Sequence, residues 1–189
     1  MSKVLVVVGA TVVAATALLF GLRLFGASSA AFAFVTVWVP MTWLGTVSRI
    51  AQPRLPGRYH DLRDFERDPR LYELLGVKVV KRLLRRGPLA VFNPALHLPT
   101  EPSPQRIAAL EQRMKDAEAS HVGLLVAMLG VVVHAVARGW WLAAALILLC
   151  DMLMNGYPVM LQRYNRALLA ARFPSWQHTA QAPVEAISP

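Results

Sequence analysis

Charge is scarce in this chain, where Asp, Glu, Lys and Arg make up 16% of 189 residues, against roughly a quarter of an ordinary soluble domain. Cysteine is scarcer still. Cys150 is the only one and lies inside an apolar run, which excludes an intrachain disulfide and a cysteine cluster for a metal. Acidic residues are few as well, 11 against 20 Lys and Arg, giving a formal net charge of +9. No nucleic-acid recognition motif accompanies that charge, so nucleic acid is not an expected partner. A basic membrane protein attracted to anionic lipid is the simpler source of such a balance.

What the chain has in quantity is apolar sequence, 56% of the total, in long blocks around one polar middle. This predicts an all-α integral membrane protein of a single domain, with about four transmembrane helices in two hairpins. Val4 to Leu22 carries no charge, nor does Leu24 to Ser48, and the lone Arg23 with Gly26, Ala27, Ser28 and Ser29 marks a tight turn between them. The first span could be read as a secretory signal, but its apolar stretch exceeds a usual signal core, so it is expected to be retained. Val122 to Ala137 is uncharged apart from His134, and Arg138-Gly139 precedes a fourth apolar run that contains Asp151 and Asn155. The expected boundaries are residues 3–25 and 29–48 for the first hairpin, 49–116 for a cytoplasmic or interfacial segment, 117–137 and 139–162 for the second hairpin, and 163–189 for a tail.

Fourteen of the 20 Lys and Arg residues fall between Arg49 and Glu118, and Arg163, Arg166 and Arg172 follow the last span, whereas each outer turn has one, Arg23 or Arg138. The positive-inside rule then puts both termini and the middle segment in the cytoplasm. Within the middle segment, Leu75, Val79, Val80, Leu83 and Leu84 recur at helical spacing while Lys78, Lys81, Arg82 and Arg85 form another face. An amphipathic helix lying on the membrane surface is expected, its cations attracted to anionic lipid or holding the phosphates of a soluble donor. Pro88 to Pro104 is proline-punctuated, and Phe92 to Leu98, including Asn93 and His97, could dip into the headgroups. Ser103-Pro104 reads as an N-cap with proline in the first turn of the helix that leads into the third span.

The uncharged part of that span has 16 residues and covers only about 24 Å of a roughly 30 Å hydrocarbon core. It must borrow length from its polar end, which brings Glu118 and His121, three residues apart on one helical face, to the lipid boundary. A histidine there suits a general base and a neighbouring carboxylate suits its orientation. Glu-x-x-His also occurs in helix-bundle di-iron sites, but the second such pair and the further carboxylates are missing, so no metal is expected. In the fourth span Asp151, Asn155, Pro158 and Gln162 are spaced by four, three and four residues and occupy one stripe of a regular helix. Polar residues retained inside a membrane helix point inward and are functional candidates by default. His134 lies on nearly the opposite face from Glu118.

With Ala117-Glu118-x-x-His121, Asn155 followed by Pro158, the string Gln162-Arg163-Tyr164-Asn165-Arg166 and the Leu71 to Leu84 segment, the chain resembles the glycosyl-diaponeurosporenoate acyltransferases of staphyloxanthin-type carotenoid biosynthesis over roughly its last two-thirds. It departs from them at Arg113 and Asp116 and in a valine of the surface helix. The resemblance implies transfer of a fatty acyl group from a thioester donor such as acyl-CoA, with no bound cofactor, to a hydroxyl of a membrane glycolipid or glycosylated isoprenoid in a bacterial plasma membrane. His121 and Glu118 would be the catalytic pair. Asn155 and Gln162 would contact the acceptor or the oxyanion, Arg163 and Arg166 the donor phosphates, with Tyr164, Asn165 and Asp151 alongside. Two other classes are compatible with a small multi-span protein. A membrane methyltransferase using S-adenosylmethionine is faintly suggested by Leu168 to Trp176 but lacks the His-Pro or paired-glutamate cofactor pattern, and a non-catalytic lipid-binding or scaffold subunit would tolerate loss of Glu118, His121 and Asn155.

Overall fold

The structure, a computed structural model, describes residues 2–51, 53–86 and 103–173. Among the described residues all regular structure is helical, and four helices are long and apolar enough to cross a membrane. The chain is therefore an all-α, multi-span membrane protein. It divides into two compact units, Met1–Leu55 with Asp116–Val159 and Pro56–Lys115 with Met160–Pro189.

The first unit holds helices α1 (Lys3–Phe25) and α2 (Ala30–Ala51), the part of α5 (Pro104–Ala137) from Asp116 onward, and α6 (Trp141–Asp151) with a π-helical turn over Met152–Gly156. α1 and α2 form the first hairpin. Ser29 caps α2 by accepting the N–H of Phe32 on its Oγ at 3.0 Å, and Trp43 Nε1 on α2 donates to Thr11 Oγ1 on α1 at 3.0 Å. The side chains of α1 are largely exposed, Val13 and Phe20 by 69% and 66%, as a lipid-facing helix requires. The core is built from small and branched residues on three helices: Ala33 and Val37 on α2, Leu124 and Met128 on α5, Ala143 and Ile147 on α6. Alanine at two of these positions, Ala33 and Ala143, lets the helices approach closely, which is what drives association where lipid is as apolar as the side chains. Cys150 lies beside this cluster as packing.

The turn between α5 and α6 is a Schellman motif. Gly139 takes φ 74°, a left-handed conformation that favours glycine, while its N–H bonds Val136 O and that of Trp140 bonds Ala135 O, each at 2.9 Å. Arg138 and Gly139 thus end the third span where the sequence places the break.

The fourth helix is not regular. Its π turn begins after Asp151, and Tyr157 N–H reaches back five residues to Met152 O. Pro158 explains it: a proline lacks the N–H that the carbonyl of Met154 would otherwise receive, and widening the turn absorbs the loss. A uniform step of 100° therefore does not hold between Asp151 and Pro158. Asp151 and Asn155 nevertheless stay buried, while Pro158 is only partly so.

The second unit contains short 3-10 turns at Gly57–His60 and Asp64–Glu66, helices α3 (Arg70–Leu74) and α4 (Val77–Arg86), the start of α5 and the helix α7 (Tyr157–Arg172) from Met160 onward. The amphipathic helix expected over Leu71 to Arg86 is broken in two by Gly76, whose φ of 78° no α-helix accommodates. Leu74, Leu75, Val79 and Leu83 are exposed on the resulting pair. Ser103 caps α5, receiving the N–H of Arg106 at 3.3 Å, with Pro104 as the first helical residue. Asn93, His97 and the rest of the proline-punctuated stretch before Ser103 lie outside the described residues.

Candidate active site

α5 and the α6–π segment carry a linear chain of three polar side chains within the first unit. His121 Nδ1 and Asn155 Oδ1 are 3.0 Å apart, and Asn155 Nδ2 donates to Asp151 Oδ1 at 2.8 Å. Asp151 and Asn155 are fully buried and His121 is partly so.

The order of the atoms dictates the protonation pattern. Because the Asp151 carboxyl oxygen accepts, the Asn155 amide must turn its nitrogen to Asp151 and its oxygen to His121. An amide oxygen only accepts, so His121 must carry its proton on Nδ1 and donate it. The Nε2 lone pair is what remains for chemistry, and among the described residues Nε2 has no protein partner. The second carboxyl oxygen, Asp151 Oδ2, is buried without a hydrogen-bond partner among the described residues. The π turn has a direct part in this: Asn155 lies inside it, in the segment where the helix is widened.

Glu118 precedes His121 by one turn on α5 and has no exposed surface. The nitrogen that an orienting carboxylate would take is occupied by Asn155, so the orienting contact to Nδ1 comes from the amide. Sequence spacing singles out each of the three members of the chain but not their order. Asn155 spends its oxygen on His121 and one amide hydrogen on Asp151, inside the protein.

The string Gln162 to Arg166, in the second unit, is also buried except for Arg163, which is half-buried. Arg163 Nη1 meets Glu66 Oε1 at 2.6 Å, its Nη2 donates to the Tyr59 carbonyl at 2.8 Å, and its guanidinium lies 4.9 Å from the centre of the Tyr59 ring. Tyr164 OH donates to Glu73 Oε1 at 3.1 Å, Lys81 Nζ donates to Asn165 Oδ1 at 2.6 Å, and Arg166 Nη1 donates to the His60 carbonyl. Four consecutive side chains of α7 thus bind the segment Tyr59 to Lys81.

Glu66 is the hub. Its Oε1 also accepts Tyr72 OH at 2.9 Å, and its Oε2 accepts the Arg63 N–H at 2.9 Å. Burial alone would raise this carboxyl, but the Arg63 amide, the Arg163 guanidinium and the Tyr72 hydroxyl reverse that and hold it below its ordinary value. Burial and the Glu66 carboxylate together push the Tyr72 phenol up, so it remains a donor. Sequence reasoning missed His60, Glu66, Tyr72 and Glu73. The α7 partners of His60, Glu66 and Glu73 lie 106, 97 and 91 positions away, and no local pattern marks them.

The expected phosphate-binding face of α4 is partly engaged. Lys78 pairs with Glu73 at 3.5 Å, and Lys81 is held by Asn165 and lies 5.0 Å from the centre of the Tyr164 ring. Arg82 is exposed, and the side chain of Arg85 lies outside what the structure describes. His134 is exposed and stacks edge-on against Trp140. Among the described residues, no three His, Cys, Asp or Glu side chains gather as metal ligands would.

A multi-pass α-helical membrane protein with a histidine poised by buried polar side chains is the class these features define. The chain belongs to the glycosyl-4,4'-diaponeurosporenoate acyltransferase family, whose model matches residues 56–172, more than half of its length. That stretch includes Glu118, His121, Asp151, Asn155 and the whole string Gln162 to Arg166, and leaves α1 and α2 outside. No curated protein and no solved structure matches the chain. Family membership makes it a transferase of the acyltransferase kind.

Proposed function

We propose that this protein transfers a fatty acyl group from an acyl-CoA-like thioester to a hydroxyl of a membrane glycolipid or glycosylated isoprenoid, with His121 as the general base. The observation that carries the reading is the His121–Asn155–Asp151 chain, which fixes the imidazole in the tautomer whose Nε2 is free to accept a proton.

Nε2 removes the proton from the acceptor hydroxyl as its oxygen attacks the acyl carbonyl. Collapse of the tetrahedral intermediate breaks the carbon–sulfur bond, and the imidazolium returns the proton to the departing thiolate. The products are an ester and a free thiol, and the enzyme ends as it began. Glu118, buried one turn away on α5, would stabilise the imidazolium that forms between the two proton transfers.

Lys and Arg concentrated between Arg49 and Glu118 support a cytoplasmic middle segment and cytoplasmic termini in a bacterial plasma membrane. Leu74, Leu75, Val79 and Leu83, exposed beside Lys78 and Arg82, suit α3 and α4 to the headgroup layer of the same face. The test is lipid mass spectrometry of host membranes carrying the wild-type gene, no gene, or His121→Ala. A lipid that loses one acyl mass both without the gene and with His121→Ala supports the transfer and its base. A His121→Ala membrane with unchanged lipid overturns the assignment of the base.

A further inference from the structure

The second unit encloses a cleft of about 520 Å³ lined by Arg58, Tyr59, Asp61, Arg63 and Phe65, with Arg163 at its wall. Its size falls in the range of small-ligand sites, roughly 300 to 1,000 Å³. The lining separates spent from unspent charge. Arg163 is neutralised by Glu66 and holds Tyr59 in place through the backbone carbonyl and the ring face. Arg58 and Arg63 are exposed, and among the described residues neither guanidinium has a partner. Glu66, the other acid of the lining, receives three donors, so Asp61 is the one carboxylate left to face the cleft beside those two cations.

Two aromatic faces accompany the cations, Phe65 being 59% and Tyr59 36% exposed. Unspent guanidiniums beside exposed rings are the chemistry that recognises a phosphorylated ligand bearing a planar ring. The guanidinium fork pairs with phosphate oxygens and the rings stack on a base. Asp61 can accept from a ribose hydroxyl or an exocyclic amine.

We infer that this cleft binds the phosphorylated nucleotide end of the acyl donor, with Arg58 and Arg63 on phosphate and Tyr59 and Phe65 on the base. The inference rests on the acyl-transfer reading for the identity of the donor, and it moves phosphate recognition from the partly paired cations of α4 to the 3-10 turns before α3. The phosphate of an anionic lipid headgroup presents the same chemistry to the arginines but offers the rings nothing to stack on.

The probe is desulfo-coenzyme A, which cannot carry an acyl group, titrated against the purified full chain in phosphatidylcholine nanodiscs. Arg58→Gln/Arg63→Gln is expected to weaken binding roughly tenfold or more, since two charge-assisted contacts are lost. Arg58→Lys/Arg63→Lys is expected to recover part of it, and His121→Gln to bind as wild type does. Both arginines are on the surface, and unchanged thermal melting of the variants confirms that the fold is intact. Equal affinity in wild type and Arg58→Gln/Arg63→Gln overturns the cleft assignment. Repeating the titration in discs containing phosphatidylglycerol separates the two phosphate sources. Wild-type binding that survives the anionic lipid supports the donor, whereas binding abolished by it assigns the cleft to a lipid headgroup and overturns the inference. Acyl transfer in membranes is read separately. If lipid acylation persists while the cleft variant turns over with unchanged KM for acyl-CoA, the cleft assignment falls alone; if no lipid gains an acyl group, the acyl-transfer reading falls with it.

Discussion

Asp151 in the first unit and Glu66 in the second are both buried carboxylates, and their surroundings differ in kind. Glu66 is saturated: a backbone amide, a phenol and a guanidinium all donate to it. Asp151 receives one amide hydrogen on Oδ1, and Oδ2 has no partner among the described residues. A satisfied buried network rigidifies the segment it joins, whereas an incompletely satisfied one is costly and persists where chemistry requires it. The difference separates a clamp from the proposed reaction centre. It also reassigns the string Gln162 to Arg166, whose arginines are expected on donor phosphates from the sequence but reach Glu66 and the carbonyls of Tyr59 and His60 in the structure.

Removing the proposed base is the largest perturbation. His121→Ala is expected to lower turnover by roughly 10²- to 10⁴-fold with little change in thermal stability, measured as ester formed per protein in a reconstituted assay. A comparable loss from any single substitution around Glu66, without unfolding, would break the distinction between the two clusters.

Asp151→Asn sharpens it. An asparagine at this position can donate or accept, so the Asn155 amide is no longer held in one orientation, and His121 can then carry its proton on Nε2 instead of Nδ1. Turnover is expected to fall about 10- to 100-fold, as for other residues that orient a catalytic histidine from behind. Nitrogen-15 shifts of the His121 ring should report a mixture of tautomers. An unchanged tautomer with unchanged turnover would show that Asp151 is a packing residue.

How far the sequence reveals this arrangement depends on the range of each interaction. The spans are legible because uncharged runs bounded by charge have one explanation in a bilayer, and the apolar helices Lys3–Phe25 and Trp141–Arg172 coincide with two of those runs. The Arg138-Gly139 break is legible because a left-handed turn favours glycine. Glu118, His121, Asp151 and Asn155 stand out as polar residues in apolar helices. Their connections do not, because the hydrogen bond from α5 to the π turn joins residues 34 positions apart. Pro158 could have signalled the irregular turn, since a proline inside a helix always leaves a carbonyl without its donor. The clamp was invisible for the same reason of distance: Arg163 and Glu66 are 97 positions apart, and an arginine after a membrane span has several common uses.

Breaking the clamp should affect stability before chemistry. Glu66→Ala leaves the Arg163 guanidinium and the Tyr72 hydroxyl without their shared acceptor, and a loss of about 3 kcal/mol is expected from one partner of a mostly buried ion pair. Thermal unfolding in detergent measures it. Turnover per folded molecule should change far less than in His121→Ala.

The smallest effect is on pH dependence, and it isolates Glu66 from the other carboxylates. Its hydrogen bonds hold the folded carboxyl below 4.5, the ordinary value to which it returns on unfolding. Between those two values the unfolded chain binds a proton that the folded chain does not. The stabilisation from Glu66 is therefore fully present above pH 4.5 and is lost as pH falls through the folded value. Melting temperature followed from neutral pH downward should show an acid limb in the wild type. In Glu66→Gln, which keeps an acceptor for Tyr72 and Arg163 but cannot titrate, that limb should be shallower while the neutral plateau is lower. Parallel curves would mean that the acid sensitivity comes from other groups and that the clamp contributes to stability only through its geometry.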